Sequence, residues 1–346
     1  MLYIEKRATL SLATLFSLRM LGLFIVLPVF TPYAKTLSDA TPFLMGLALG
    51  IYGLTQAAFQ LPLGALSDYY PRKNIIALGF FIFILGSVVA AISDNIFMLM
   101  VGRALQGSGA VGSTIMALLS DFTRAEKRSK SMAIVGMIIG MTFFMSLLIG
   151  PFLNHFIGVH GIFWLSALLG LIAILLNYYW VPIPKHTHLD ESTKNFTKNL
   201  KSLLREPELL KLDLGIFLLH AVLTATFVIM PLYVHKPWVY APALILSVLF
   251  TFKFMKCIRA AVAGLVLSLL CLWQFHENIY LLMTGLCLFF TGFNILEANL
   301  PSLVSQTAPS RLKGTAIGVY STCQYLGIFA GGIVGGLLLQ SSFIIS

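Results

Sequence analysis

The chain has 346 residues, of which 58% are hydrophobic and only 10% are charged, with a formal net charge of +10. An ordinary soluble domain has about 25% charged residues, so this composition excludes a water-soluble globular protein. The positive charge does not indicate nucleic-acid binding, because a basic rim that faces anionic lipid accounts for it.

Eleven apolar segments follow one another along the chain. Each has about 20 residues, which is the length of a helix that crosses the hydrocarbon core of a bilayer. Backbone amides in lipid must bond within their own segment, and this favours helices. We therefore predict an all-α membrane protein with spans near 9–31, 45–66, 75–92, 97–120, 131–153, 159–181, 212–234, 239–255, 260–275, 278–300 and 315–338.

The lysines and arginines between the predicted spans lie almost entirely on one side of the membrane. Only Lys35 and Lys236 fall on the other side if the N-terminus is inside. Positive residues concentrate in cytoplasmic loops, so we predict a cytoplasmic N-terminus. The first apolar segment is too long for a signal peptide and contains Arg19, and we expect an uncleaved first span.

A polar stretch divides six predicted spans from five. We predict a six-helix bundle at 1–181, a cytoplasmic linker at 182–211 and an incomplete bundle of about five helices at 212–346. This layout is typical of secondary transporters built from two repeats. The spacing of the 4 cysteines matches no ligand pattern, so we expect no metal site and no cofactor.

The segment GALSDYYPRK at 64–73 lies between spans two and three. Gly64 and Asp68 are four residues apart and share one helical face. The cations that follow, Arg72 and Lys73, can pair with the Asp68 carboxylate or with lipid phosphate. A small residue for close packing and a charge cluster therefore coincide at the cytoplasmic end of the helix.

Two further segments have a recognisable pattern. Span four contains RALQGSG at 103–109, in which the intramembrane Arg103 precedes a glutamine and glycines. Span five contains Gly140 and the pair Gly150 and Pro151, and a proline inside a span removes a backbone bond and kinks a helix. Together with segment 64–73, these resemble the signature motifs of the major facilitator superfamily.

The resemblance narrows in three more segments. FSLRMLG at 16–22, GIYGLTQ at 50–56 and LKGTAIGVYS at 312–321 are similar to the YajR-type bacterial inner-membrane transporters. The resemblance implies a major facilitator fold and gating by Gly64, Asp68, Arg72 and Lys73. It also implies an antiporter-type helix at Gly140, Gly150 and Pro151. Tyr69 replaces the motif's usual basic residue, which weakens the expected charge network, and Pro71 replaces its usual glycine, which fixes the backbone of the loop.

Charged side chains inside the predicted spans are the candidates for chemistry. A charge at mid-bilayer costs about 2.5–3.5 kcal/mol on insertion scales and normally faces a cavity or a partner. We predict that Arg19 lines a cavity or pairs with a charge, with a bond to a helix carbonyl as the alternative. Arg103 resembles the family's proton-linked arginine, and simple helix packing is the alternative.

Three more residues are candidates for proton exchange. His220 lies midway along span seven, and an unperturbed histidine pKa of about 6.5 suits proton exchange near neutrality. Glu297 lies in the last turns of span ten, where desolvation favours a protonated carboxyl. Asp121 ends span four beside several cations. The alternatives are a packing role for His220, interfacial pairing for Glu297 and a solvated helix end for Asp121.

We therefore expect proton-coupled efflux of a small molecule across the bacterial inner membrane by alternating access, and no enzyme activity. Family resemblance implies twelve spans and often a soluble C-terminal domain, whereas eleven spans are visible. A second copy or another protein would then cover the exposed face of the second bundle. The alternative function is a truncated, non-transporting carrier remnant that acts as a membrane scaffold or binding partner.

Overall fold

The computed structural model describes residues 1–183, 201–233, 240–254, 257–274, 278–309 and 312–345. Nearly all of them are helical, which confirms the all-α class. The helices are α1 (Tyr3–Phe24), α2 (Leu27–Ala34), α3 (Pro42–Tyr69), α4 (Arg72–Ala91), α5 (Ile96–Ser108), α6 (Gly112–Phe122), α7 (Ala125–Tyr179), α8 (Pro207–Tyr233), α9 (Tyr240–Phe254), α10 (Ile258–Gln274), α11 (Ile279–Thr307) and α12 (Lys313–Ile345).

The predicted linker at 182–211 is only partly within the described residues, because 184–200 fall outside them. Helix α8 begins at Pro207, inside the predicted linker, and so precedes the predicted start of span seven. We refer below to α1–α7 as the first half and to α8–α12 as the second half. The division into six and five spans stays a prediction.

Two predicted spans are interrupted. The first is divided into α1 and α2, and Pro28 near the start of α2 has no backbone N–H to donate. Span four is divided into α5 and α6 after Ser108. A Cβ at Gly109 would lie 2.3 Å from the Gly79 carbonyl oxygen of α4, so this position requires a glycine. At the break in span four, the backbone therefore lies close to the backbone of α4.

Helix α7 contains predicted spans five and six. Its dihedral angles are non-helical at Gly158, where φ is 65° and ψ is 177°. Ser131 accepts a bond from Thr9 near the start of α1, and Asn177 donates to the Lys73 carbonyl near the start of α4. Both ends of α7 thus lie at the same end of the first half, and the chain reverses at Gly158. A positive φ favours glycine at this reversal.

Fewer helices than the predicted eleven are individually long and apolar enough to cross a bilayer. The 7 candidates among the described residues are Tyr3–Ala34, Pro42–Tyr69, Arg72–Ala91, Glu126–Tyr179, Pro207–Leu232, Ile279–Thr307 and Lys313–Ser341. Shorter apolar helices cover Pro242–Thr251 and Ile258–Leu272. The difference arises because α7 contains two predicted spans, span four is interrupted, and spans eight and nine are short.

The two halves meet through glycines of α3 and α12. A Cβ at Gly46 would lie 2.2 Å from the Gly332 carbonyl oxygen, and a Cβ at Gly332 would lie 2.5 Å from the Gly46 carbonyl oxygen. Gly53, two turns further along α3, lies equally close to the backbone of Tyr325. The backbone of α3 therefore touches the backbone of α12 near the start of α3. We call the end of the molecule at which α3 begins the Pro42 end, and the end at which α3 finishes the Asp68 end.

Helix α12 also packs tightly against α8 within its own half. A Cβ at Gly331 would lie 2.1 Å from the Ala221 carbonyl oxygen. The halves are further joined by the Thr31 hydroxyl of α2, which donates to the Phe227 carbonyl of α8 at 3.2 Å. Glycines on two faces of α12 thus hold it between α3 and α8.

We expect Gly332→Ala to lower the melting temperature of the purified protein, because an added methyl group at a packed position costs about 1–3 kcal/mol. The matched control is Gly318→Ala on the same helix, where a Cβ meets no atom within 4 Å. There, the better helix propensity of alanine should stabilise by about 0.5–1 kcal/mol. Thermal unfolding in detergent measures both, and equal shifts would contradict the glycine contact.

Candidate functional site

Arg72 links three helices at the Asp68 end. Its guanidinium lies 3.2 Å from Asp68 at the end of α3 and 3.5 Å from Asp121 at the end of α6. Arg72 itself begins α4, and its side chain is only 9% exposed. We call these three residues the Arg72 cluster. The Arg72 cluster brings together Asp68 and Asp121, which are far apart in sequence, and so forms a charge network between three helices.

Neighbouring cations have other partners. Lys73 donates to the carbonyl oxygens of Val181 at 2.9 Å and Tyr178 at 3.3 Å, near the end of α7, and no bond from it to Asp68 is described. Arg124 pairs at 2.8 Å with the buried Glu5 of α1, which the sequence did not single out. The hydrogen bond from Arg124 to the Glu5 carboxylate raises the pKa of Arg124.

Arg19 is almost fully buried in the first half, at 1% exposure. Its Nη2 donates to the side-chain oxygen of Gln56 on α3, and Gln56 donates in turn to Gln60 at 3.5 Å. Nε and Nη1 of Arg19 have no hydrogen-bond acceptor among the described residues. The partner is therefore an amide side chain, in place of the helix carbonyl considered from the sequence.

Arg103 is also buried, and it is surrounded by aromatic rings and one amide. Its Nη1 donates to Gln106 at 2.9 Å, and Gln106 donates to Ser87 of α4 at 2.8 Å. The guanidinium carbon lies 5.0 Å from the centre of the Tyr52 ring, a distance at which a cation is attracted to the face of the ring. Arg103 thus connects α5 with α3 and α4.

Gln324 of α12 joins two ionisable side chains of the second half. Its Nε2 lies 2.9 Å from His220 Nε2 of α8 and donates to Glu297 Oε1 of α11 at 3.2 Å. His220 Nδ1 lies 3.3 Å from the Ile216 carbonyl oxygen, which can only accept, so Nδ1 carries the proton. Nε2 then faces the Gln324 amide nitrogen as an acceptor, which is the bonding of a neutral imidazole. We call His220, Gln324 and Glu297 the Gln324 bridge.

The Gln324 bridge brings a carboxylate close to an imidazole. Glu297 Oε2 lies 3.9 Å from His220 Nε2 and has no hydrogen-bond partner among the described residues. The sequence placed Glu297 in the last turns of a span ending near residue 300, whereas α11 continues to Thr307. Glu297 is therefore further from the helix end than predicted, and its carboxylate oxygen Oε2 is buried.

Tyr325 connects the polar groups of the two halves. It follows Gln324 on α12, and its side chain interacts with Gln56 and lies within electrostatic range of Arg19 and Glu297. The sequence analysis did not identify Gln324 or Tyr325 as functional residues, and it included Gln56 only as part of the segment at 50–56. Gln324 could have been identified because it is a polar residue within an otherwise apolar span, and a polar side chain in lipid needs a partner.

The sequence profile of the Major Facilitator Superfamily matches residues 12–332. The chain belongs to this superfamily. The inner membrane transport protein YajR of Escherichia coli (strain K12) is 43% identical over 350 residues, which cover 96% of this chain and 77% of that protein. The quinolone resistance protein NorA of Staphylococcus aureus (strain COL) is 25% identical over 349 residues, which cover 92% and 87%.

A solved structure supports the fold. A bacterial homologue of the human lysosomal transporter Spinster, in an inward-facing and unoccupied conformation, superposes with a TM-score of 0.80 at 16% identity, covering 99% of this chain and 84% of that one. The predicted major facilitator fold is thereby confirmed. The chain is a multi-pass membrane transporter, and its relatives and fold are those of transporters rather than enzymes.

The glycines of the superfamily motifs differ in their surroundings. A Cβ at Gly150 would lie 2.3 Å from the Ile25 carbonyl oxygen, so α7 touches the α1–α2 junction there. Gly64 faces Ser113 of α6 at 3.0 Å, whereas Gly140 has no neighbour within 4 Å of an added Cβ. The dihedral angles stay helical through Pro151. Close packing thus explains Gly150 and Gly64, and nothing in the structure explains Gly140.

We expect Arg72→Gln to destabilise this superfamily member more than Lys73→Gln, although both remove one positive charge. Arg72 contacts two carboxylates, and a hydrogen bond to a charged group contributes about 1.5–3 kcal/mol. Among the described residues, the hydrogen bonds of Lys73 go to neutral carbonyl groups. Thermal unfolding of both variants in detergent provides the comparison. A larger loss for Lys73→Gln would argue against the Arg72 cluster.

Proposed function

We propose that this transporter exports a small molecule in exchange for protons by alternating access. The observation that supports this best is the Gln324 bridge, which holds a carboxylate and a neutral imidazole 3.9 Å apart within the second half. Ionisable groups inside membrane helices are rare, and proton relays in transporters are built from such carboxylates and histidines. His220 and Glu297 are the proposed proton-binding residues.

Proton binding would rearrange the Gln324 bridge. A proton on His220 Nε2 turns this atom into a donor, so it can no longer accept from the Gln324 amide. The charged imidazole would then pair directly with Glu297 through Oε2, and Gln324 would lose its bond to His220. Because Tyr325 follows Gln324 and its backbone packs against Gly53 of α3, the proton would influence the contact between the halves.

Opposite ends of the molecule have different contacts, as alternating access requires. At the Pro42 end, the halves meet through glycines of α3 and α12. At the Asp68 end, the Arg72 cluster contains ion pairs that can break and reform. We assign gating to Gly64, Asp68, Arg72 and Lys73, a part in the proton relay to Asp121 and Arg103, and the central cavity to Arg19.

Export is the proposed direction of transport. NorA is named for quinolone resistance, and removal of a drug from the cell is one way for a membrane transporter to confer resistance. Gly150 and Pro151 add the antiporter-type motif on α7. The bias of lysine and arginine supports a cytoplasmic N-terminus, and the name of YajR supports location in the inner membrane.

Everted membrane vesicles provide the test, with norfloxacin as a quinolone probe. An acid interior should drive norfloxacin accumulation in vesicles with the native protein. We expect Glu297→Gln to reduce this accumulation to the level of vesicles without the protein, because a glutamine cannot bind the proton. Exchange of labelled norfloxacin at equal pH on both sides should persist, because it needs no net proton movement.

Glu208→Gln is the matched control, since Glu208 is 64% exposed and its described ion pair is with the surface residue Lys211. It makes the same chemical change and should leave gradient-driven accumulation intact. Accumulation that ignores the pH gradient in native vesicles would refute antiport. Gradient-driven accumulation that survives Glu297→Gln would refute the proton role of the Gln324 bridge.

A further inference from the structure

We propose that Arg19 is the centre of a binding site for a carboxylate group, and that the transported substrates are organic anions. This inference depends on the proposed transport function and adds the substrate class. It starts from the incomplete bonding of a buried cation. A guanidinium has five N–H donors and no acceptor, so every bond that it makes needs an acceptor atom.

Most of the donors of Arg19 lack such an acceptor. Only Nη2 has a described bond, to Gln56, while Nε and Nη1 are buried without a partner among the described residues. An unsatisfied buried donor is unfavourable, and more so when it is charged. A ligand that brings carboxylate oxygens would supply the missing acceptors, and bonds between a guanidinium and a carboxylate are among the strongest in proteins.

The charge of Arg19 also lacks a balancing carboxylate in its own half. All acidic residues before 184 lie at helix ends or in connections: Glu5, Asp39, Asp68, Asp94, Asp121 and Glu126. Those with a described ion pair are bound to Arg124 or Arg72. Arg103, the second buried cation of this half, is surrounded by aromatic rings and by Gln106. The interior of the first half therefore carries excess positive charge.

Polar groups beside Gln56, the partner of Arg19, suit an oxyanion. Tyr52 lies one helical turn from Gln56 on the same face of α3; its ring faces Arg103, and its buried hydroxyl has no described partner. Tyr325 of the second half interacts electrostatically with Arg19. Both hydroxyls can donate to a carboxylate oxygen. A ligand bound there would contact both halves, which is where a transporter needs its substrate.

The one acidic side chain described near this position is Glu297, across the contact between the halves. It lies near Tyr325 and accepts from Gln324, and no ion pair between Glu297 and Arg19 is described. The carboxylate site and the Gln324 bridge are therefore adjacent through Gln324 and Tyr325 but use different atoms. Substrate binding at Arg19 and proton binding at Glu297 can be measured separately.

Three probes with one ring system test the charge preference: 2-naphthoate, 2-naphthamide and 2-naphthylmethylamine. Their binding to the purified full chain is measured by isothermal titration in detergent at a fixed pH. We expect the amide and the amine to bind about tenfold or more weakly than the carboxylate, which corresponds to about 1.4 kcal/mol. Similar affinity for all three would refute the site, as would no binding of 2-naphthoate.

Variants then locate the site. Arg19→Gln should weaken 2-naphthoate binding to the level of the amide, and Arg19→Lys should give an intermediate affinity because it keeps the charge but loses the planar donors. Lys6→Gln, which removes one positive charge at an exposed position of α1, is the control and should bind as the native chain does. Unchanged 2-naphthoate binding by Arg19→Gln would refute the assignment.

Two further measurements guard against misinterpretation. If Arg19→Gln does not fold, Tyr325→Phe replaces it, and several-fold weaker 2-naphthoate binding is expected because one hydroxyl donor is lost. Competition by phosphatidylglycerol in mixed micelles would assign Arg19 to a lipid headgroup and refute a substrate site. None of these titrations uses a pH gradient, so their failure would leave the antiport proposal standing, and the reverse also holds.

Discussion

The structure depends on how closely the backbone of α12 approaches two other helices. Glycines on one face of α12 touch α3, and glycines on another face touch α8, at distances that no side chain would permit. Membrane helices associate through such small residues, because lipid provides no hydrophobic force to push them together. This constraint positions Gln324 and Tyr325 between the halves, so a packing requirement also determines where the polar groups meet.

Glutamine side chains supply much of the polar bonding in this interior. Gln56 bonds to Arg19, Gln106 to Arg103, and Gln324 to both His220 and Glu297. An amide both donates and accepts without a charge of its own, so it can satisfy either a cation or a carboxylate. When protonation changes the charge of a partner, as proposed for His220, the amide can therefore change partners without carrying an unpaired charge of its own. This property suits a protein that is proposed to bind and release protons.

Much of the architecture follows from local features of the chain. Apolar segment length predicted the helices, and the intramembrane positions of Arg19, Arg103 and His220 identified buried polar residues before any geometry was available. Partner choice could not be predicted, because Glu5 and Arg124 are 119 positions apart and His220 and Gln324 are 104 apart. The break at Gly109 was also missed, since hydropathy does not report close backbone approach, whereas the reversal at Gly158 falls between predicted spans five and six. The end of α11 was misplaced because polar residues after 300 still continue the helix.

The contact between Gly46 and Gly332 has a thermodynamic consequence. Burying a long side chain removes rotamer freedom worth up to about 2 kcal/mol, whereas burying glycine removes none. Where glycine meets glycine, closing the Pro42 end freezes no side chains, and opening it releases none. The free energy of separating these two surfaces therefore contains little side-chain conformational entropy.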